Sequence, residues 1–372
     1  MTTIDKTLKQ GYILKSPKQS YKIEGLLGIG CFHITYIASA IFKVSGTPAK
    51  IKFVIKESFN RNDCSQNSSS GNVTYPIRTK EFDNTLRKEF LEDILRLRTI
   101  AYGHKNIVKV YEVFETNNTS YYVMEYIDGI SLRNYVVNRG RISEDEMLTV
   151  ITPIVEAVMY LHKNRITHLD INPDNIMVKH DINGKIQPVL IGFDCSKHYD
   201  KGGNPTSITG IFRSNDGYSP KEQYAGISTF SPSADIYALG ATMWFCLTGK
   251  NPNKSVDLIE GDLFMSLPDN ISDKTKSIIR QATTLSKDNR KIELMDRVYD
   301  VHDDVVRECV YGSPSPWHML DHISNPTEFL EKDDNSKVGW NWIQWFCKNK
   351  AIVTVAIGLV ILILLILIWC CS

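Results

Sequence analysis

Between Ile166 and Val178 the chain reads Ile-Thr-His-Leu-Asp-Ile-Asn-Pro-Asp-Asn-Ile-Met-Val. The spacing of His168, Asp170 and Asn175 suits a particular chemistry. It pairs a carboxylate that can accept a proton with a neutral amide oxygen that can ligate a hard cation. Ile176, Met177 and Val178 follow, and this apolar run predicts that the loop enters a short buried strand. An Asx-rich turn before a strand is the competing reading. The choice between them rests on whether the partners of such a loop occur elsewhere in the chain.

Upstream, the stretch from Tyr21 to Ala38 places Gly28 and Gly30 between two apolar alternating runs, which predicts a hairpin with a glycine turn. Such a turn can lay backbone N–H groups over phosphates because no Cβ blocks the approach, although a plain turn is the more frequent case. Ile51 to Lys56 is a β-branched run closed by Lys56, a lysine that would ordinarily just be solvated. Asn60 to Asn72 reads as a loop. Glu81 to Ile100 has helical spacing, with Phe82, Leu86, Phe90, Ile94 and Leu97 on one stripe. Asn106–Phe114 and Ser120–Gly129 read as paired strands joined by turn chemistry at Asn117-Asn118.

After Ser131 the pattern turns helical. Ser143 and Glu146 carry the capping-box signature. Ile151, Ile154, Val155, Val158, Met159 and Leu161 predict a buried helix leading to the Asp170 loop. Asn183-Gly184 predicts a hairpin before Val189–Asp194. Asp235–Leu247 predicts a strongly apolar helix and Ile271–Leu285 an amphipathic one. The glycine turn thus falls in a strand-rich part and Asp170 in a helix-rich part, and a ligand between them would touch both.

Near the C-terminal end, Trp340, Trp342, Trp345 and Phe346 precede Lys348 and Lys350, and Ala351–Trp369 carries no charge. Those residues span ~28 Å as a helix, close to the hydrocarbon core of a bilayer. Aromatic and lysine flanks support a single membrane span, and the positive-inside bias predicts that the larger part lies in the cytoplasm. The polar first twenty residues show no cleavable signal pattern. A net charge of +1 argues against nucleic-acid binding driven by bulk charge. The eight scattered cysteines form no C-x-x-C pair, so neither a zinc site nor a disulfide framework is indicated.

Taken in order, these motifs resemble a eukaryotic-type serine/threonine protein kinase domain of the bacterial kind. The resemblance implies an α+β, bilobal kinase-like fold over residues 21–299, with a β-rich N-lobe (21–128) and an α-helical C-lobe (129–299). Residues 1–20 would be a lead-in, 300–350 a juxtamembrane linker and 351–369 the transmembrane helix. It implies ATP and Mg²⁺ as cofactors and a protein substrate as partner. Gly28 and Gly30, with Phe32 at the tip, would cover the phosphates, and Lys56 would pair with them. Met124 would be the gatekeeper, and the backbone of Glu125 and Ile127 would meet adenine. His168 would orient the loop, Asp170 would be the catalytic base, and Asn175 would hold a metal. Ser219-Pro-Lys-Glu resembles the end of an activation segment, with Glu222 paired to Arg290. Asp235 would brace the catalytic loop.

The departures are specific. Where the family has D-F-G, this chain has Gly192-Phe193-Asp194. His33 replaces the third glycine, and Asn172 replaces the lysine two residues after the base. Glu89, Glu92 and Asp93 all compete as the glutamate partner of Lys56. Losing a metal carboxylate and a cation would lower the rate by about 10²–10⁴. Asp194 could supply the missing metal carboxylate if residues 192–194 were extended, since alternate residues share a face. Two readings follow: a membrane-anchored ATP-dependent serine/threonine kinase, and a pseudokinase acting as a scaffold or nucleotide sensor. Ser196, Thr206, Ser207, Thr209 and Ser214 are candidate phosphosites.

Overall fold

The computed structural model describes residues 7–30, 33–44, 47–60, 64–67, 69–77, 80–199, 214–224, 232–260, 263, 267–294, 297–302 and 305–310. Strands β1 (Ile13–Lys15), β2 (Ser20–Ile29), β3 (His33–Val44) and β4 (Thr47–Ser58) run antiparallel in sequence order. A two-stranded flap, β5 (Ser65–Gln66) and β6 (Val73–Thr74), precedes helix α1 (Lys80–Ala101). Strands β7 (Val110–Thr116) and β8 (Thr119–Glu125) complete a six-stranded sheet of order β1-β2-β3-β4-β8-β7. Asn117 and Asn118 both adopt positive φ, 54° and 57°, in the two-residue turn their chemistry predicted.

Glu57 is the polar centre of this part. Fully buried on β4, it accepts hydrogen bonds from Tyr36 Oη (2.8 Å), Tyr121 Oη (2.6 Å) and Gln66 Nε2 (2.6 Å). One carboxyl thereby ties β3, β8 and the flap together. Burial pushes it up to about 7, against the pull of these donors.

The helical part begins with β9 (Ile130–Ser131), α2 (Leu132–Val137) and α3 (Glu144–Lys163). Ser143 Oγ caps α3 by accepting from Glu146 N at 3.2 Å. Only half of the predicted capping box forms, because the Glu146 carboxylate bonds Tyr135 Oη instead. Strand β10 (Ile166–Thr167) leads into the Asp170 loop, followed by the hairpin β11 (Ile176–His180) and β12 (Ile186–Leu190), then β13 (Lys197–His198), which pairs with β10. Helices α4 (Lys221–Tyr224), α5 (Ser233–Thr248) and α6 (Asp273–Ala282) follow. Every residue of α5 from Ser233 to Leu247 is buried, so its lack of a polar stripe marks a core helix.

Two boundaries differ from expectation. Ile13–Lys15, placed in the lead-in, forms an edge strand with Leu14 buried; three residues are too few for a periodic signal. At the other end, β14 (Lys291–Leu294), β15 (Arg297–His302) and β16 (Val305–Val310) make a three-stranded sheet that extends past residue 299 into the expected linker. Residues 351–369 lie outside the described residues. Among the described residues, no helix is long and apolar enough to cross a membrane.

Candidate active site

A row of residues crosses the sheet: Gly28 pairs with Thr35, Thr35 with Lys56, and Lys56 with Tyr122. Adjacent strands lie ~4.8 Å apart, so Gly28 stands roughly 10 Å from Lys56. Phe32 lies outside the described residues. Lys56 and Tyr122, directly opposed, project from one face and grip the same group. The Lys56 ammonium pairs with one oxygen of Asp194, and Tyr122 Oη donates to the other at 3.1 Å. Burial pushes the Asp194 carboxyl up, but the Lys56 ammonium, His33 and the Tyr122 hydrogen bond together hold the group well below the usual carboxylate range.

Asp194 does not arrive there as expected. Gly192 is left-handed (φ 79°), and Phe193–Cys195 forms a single 3₁₀ turn, so residues 192–194 are not extended. The turn, not strand parity, aims Asp194 at Lys56. His33 Nδ1 stands 4.0 Å from the same carboxylate, and its ring stacks on Phe90 of α1 with centroids 4.9 Å apart. Burial lowers its pKa, against the pull of the Asp194 carboxylate. The α1 carboxylates do not take Lys56: Asp93 lies 3.8 Å from Lys197, and one Glu89 oxygen is buried without a hydrogen-bond partner.

Asp170 is held by asparagine amides. Its Oδ1 accepts from Asn172 Nδ2 (3.0 Å) and Asn215 Nδ2 (3.2 Å), and its Oδ2 from Asn175 Nδ2 (2.8 Å). Burial raises the Asp170 pKa, opposed first by the nearby His168 and then by the Asn215 and Asn175 amides. The loop itself hangs from Asp235 at the start of α5, whose carboxylate accepts the N–H groups of His168 (2.9 Å) and Leu169 (2.8 Å), as expected. Leu169 has φ 63°, a conformation that costs an L-residue ~1–2 kcal/mol. It is fixed on its other side by Gln223 Nε2, which donates to Leu169 O at 3.0 Å. His168 Nε2 is 2.8 Å from Ile191 O, and its ring packs on Phe193.

The two clusters meet at Gly192. A Cβ there would lie 2.2 Å from Asn175 Oδ1 and 2.8 Å from its Nδ2, so the missing side chain is what admits the Asn175 carboxamide. With Nδ2 turned to Asp170, Asn175 Oδ1 remains an acceptor. Asn175 Oδ1 and the Asp194 carboxylate are hard oxygen donors, the chemistry that suits Mg²⁺. Among the described residues no three His, Cys, Asp or Glu side chains group as a metal site. A cation here would therefore complete its shell with phosphate and water oxygens.

Met124 is buried at the end of β8, next to Glu125, whose N–H donates to Lys109 O at 2.9 Å. Ile127 is buried just beyond the strand, and its N–H has no backbone partner among the described residues. Arg290, fully buried, binds both oxygens of Glu222, one of them at 3.1 Å. Ser196 is buried and donates to Phe193 O at 2.7 Å, which removes it as an accessible phosphosite; Thr206, Ser207 and Thr209 lie outside the described residues. Tyr122 and Asn215 escaped the sequence reading. Tyr122 sits two residues before Met124 and so shares its face of β8, a usable signal. Asn215 lies in a stretch without periodicity, and only the fold brings it to Asp170.

Residues 64–302, well over half of the chain, match the protein kinase domain family. The matched stretch starts after Gly28, Gly30 and Lys56. The chain is 33% identical over 181 residues to the serine/threonine-protein kinase PrkC of Bacillus subtilis, covering 47% of this chain and 26% of that protein. It is 29% identical over 240 residues to PknA of Nostoc, covering 63% and 38%. Serine/threonine-protein kinase C of Synechocystis is 31% identical over 245 residues, covering 64% and 41%. The chain thus spans less than half the length of these curated relatives. The solved structure of PpkA-294 in its apo form is similar with a TM-score of 0.57 and 21% identity, covering 77% of this chain and 95% of that one; this likeness concerns the fold.

Proposed function

The chain belongs to the protein kinase domain family, and on that footing we propose that it is an ATP-dependent protein serine/threonine kinase. The reading is carried by the hydrogen bonding of Asp170. Oδ1 takes two amide donors and Oδ2 only one. A carboxylate oxygen accommodates about two donors. Oδ2 therefore keeps a site for the proton of an incoming hydroxyl, while Oδ1 fixes the orientation of the group. Lys56 binds and orients phosphate oxygens from the sheet face, and Asp194 balances its charge. Asn175 and Asp194 would hold Mg²⁺, which would supply neutralisation of phosphate charge. Gly28 on β2 and Gly30 just after it let backbone approach the phosphates, and Met124, Glu125 and Ile127 border the base.

The uncharged run 351–369 and its aromatic, lysine-bearing approach support a single-pass anchor with the kinase part on the cytoplasmic side. A second reading, a scaffold or nucleotide sensor, is favoured by one observation. Lys56 and Asp194 already satisfy each other.

Transfer of labelled phosphate from ATP to a generic protein substrate separates the two readings. A kinase transfers label in a Mg²⁺-dependent way and loses it in Asp170→Asn. Nucleotide binding without Mg²⁺-dependent transfer supports the sensor.

A further inference from the structure

Asp194 carries two duties: it balances the charge of Lys56, and with Asn175 it offers hard oxygen to a divalent cation. Both fall to it because, among the described residues, no acid of α1 reaches Lys56. Asp93 lies 3.8 Å from Lys197, and Glu89 Oε2 is buried without a partner. Yet Asp194 sits in a single 3₁₀ turn behind a left-handed glycine. Such a turn delivers the side chain without fixing the plane of its carboxylate. The Lys56 ammonium does not fix it either, being a compact charge on a flexible stem that accepts many approach angles.

Tyr122 supplies the missing constraint. Its Oη donates to Asp194 Oδ1 at 3.1 Å, while Lys56 holds Oδ2. A phenol keeps its proton at neutral pH, so this bond has one direction. The ring is itself held firmly. It is 2% exposed, pairs across the sheet with Lys56, and packs on Phe90 of α1 with centroids 5.5 Å apart. A donor carried on a strand of a rigid sheet orients its partner more sharply than one carried on a loop.

The two Asp194 oxygens are therefore unlike. Oδ2 faces an ammonium, which repels a second cation. Oδ1 faces a neutral hydroxyl and keeps a lone pair, and His33 Nδ1, 4.0 Å away, is beyond hydrogen-bond reach. Oδ1 is thus the oxygen suited to a metal ion, and Tyr122 is the residue that aims it.

We infer that Tyr122 is a positioning residue for the divalent cation, acting through Asp194 Oδ1 and touching neither metal nor nucleotide. The inference rests on the reading that this site binds Mg²⁺ with ATP, and it holds whether or not phosphate is then transferred.

The test is Tyr122→Phe in the full chain in detergent, which removes the hydroxyl and keeps the ring on Phe90. Binding of a fluorescent N-methylanthraniloyl ATP is titrated with EDTA present and then against rising Mg²⁺, alongside thermal melting. The expected result is an unchanged affinity without metal and an unchanged melting temperature. The Mg²⁺ concentration for half-maximal effect should rise about tenfold, as for other residues that orient a metal ligand. An unchanged Mg²⁺ requirement overturns the inference. So does an equal weakening with and without Mg²⁺, which would make Tyr122 a packing residue only. Nucleotide affinity indifferent to Mg²⁺ in the native chain would overturn the reading of the site as well, and is told apart from the other two results because in them the native chain responds to the metal.

Discussion

The carboxamide of Asn175 occupies the space into which a side chain on Gly192 would project, 2.2 Å from the position of its Cβ. Gly192 is therefore more than a lost carboxylate. The amide that fills its place also donates to both the backbone and the side chain of Asp170, at 2.8 Å each.

Gly192→Asp should consequently fail to restore a D-F-G site. The new side chain must adopt φ 79° and displace Asn175 from Asp170. The backbone strain alone costs about 1–2 kcal/mol. The expected result is a lower melting temperature and no gain in ATP-dependent labelling, in the single variant and in Gly192→Asp combined with Asp194→Gly. A large gain in activity would refute this account.

Asp194→Asn should leave the Lys56 ammonium partly buried without its counter-charge. A loss of about 1–3 kcal/mol is expected from breaking a half-buried pair. Because Lys56 depresses the Asp194 pKa, the pair's stability is present at neutral pH and is lost as pH falls through the lowered value. Denaturant melts from pH 7 downward should show that acid-side decline in the native chain and not in the variant. Labelling should fall about 10²-fold or more.

Asn215→Ala removes one of two donors to Asp170 Oδ1. That donor favours the ionised carboxylate, so its loss moves the already raised Asp170 pKa further up. A base works only when ionised. The acid limb of the rate profile should therefore shift to higher pH, with a roughly tenfold loss near its foot. An unshifted limb with a uniformly lower rate would mean that Asn215 serves only to hold the chain segment.

Glu57 supplies a pH test that involves no catalysis. Folded, it keeps its proton up to about pH 7, whereas unfolded it releases it near 4.5. The folded state thus binds the extra proton between those values, and stability falls as pH rises from about 4.5 to 7, then levels off. The fall should be on the order of 3 kcal/mol. In Glu57→Gln the slope should vanish, and chemical melts at pH 5, 6, 7 and 8 would show it.

The sheet and the buried helices were legible because their chemistry is local. Alternation marks β3, a β-branched run marks β4, paired asparagines mark the β7–β8 turn, and uninterrupted apolar content marks α5. The catalytic loop and its brace at Asp235 were legible because the spacing of His168, Asp170 and Asn175 limits what surrounds them. The route of Asp194 to Lys56 was not, since one left-handed glycine redirects the chain and no periodicity records it. Asn215 and Tyr122 act across 45 and 72 positions of sequence, which no local pattern spans. Glu146 answers to Tyr135 on another helix rather than to its own N-terminus, so the capping box was half right.

Lys56 and Glu57 stand back to back on β4, one turned to Asp194 and the other locked among Tyr36, Tyr121 and Gln66. Sliding β4 by a single residue would seal an ammonium among tyrosines and offer a carboxylate to incoming phosphates. The strand thereby proofreads its own alignment, because the one pairing that assembles the interior is also the one that makes the cleft attractive to anions. Length changes within Thr47–Ser58 should then abolish folding and nucleotide affinity together.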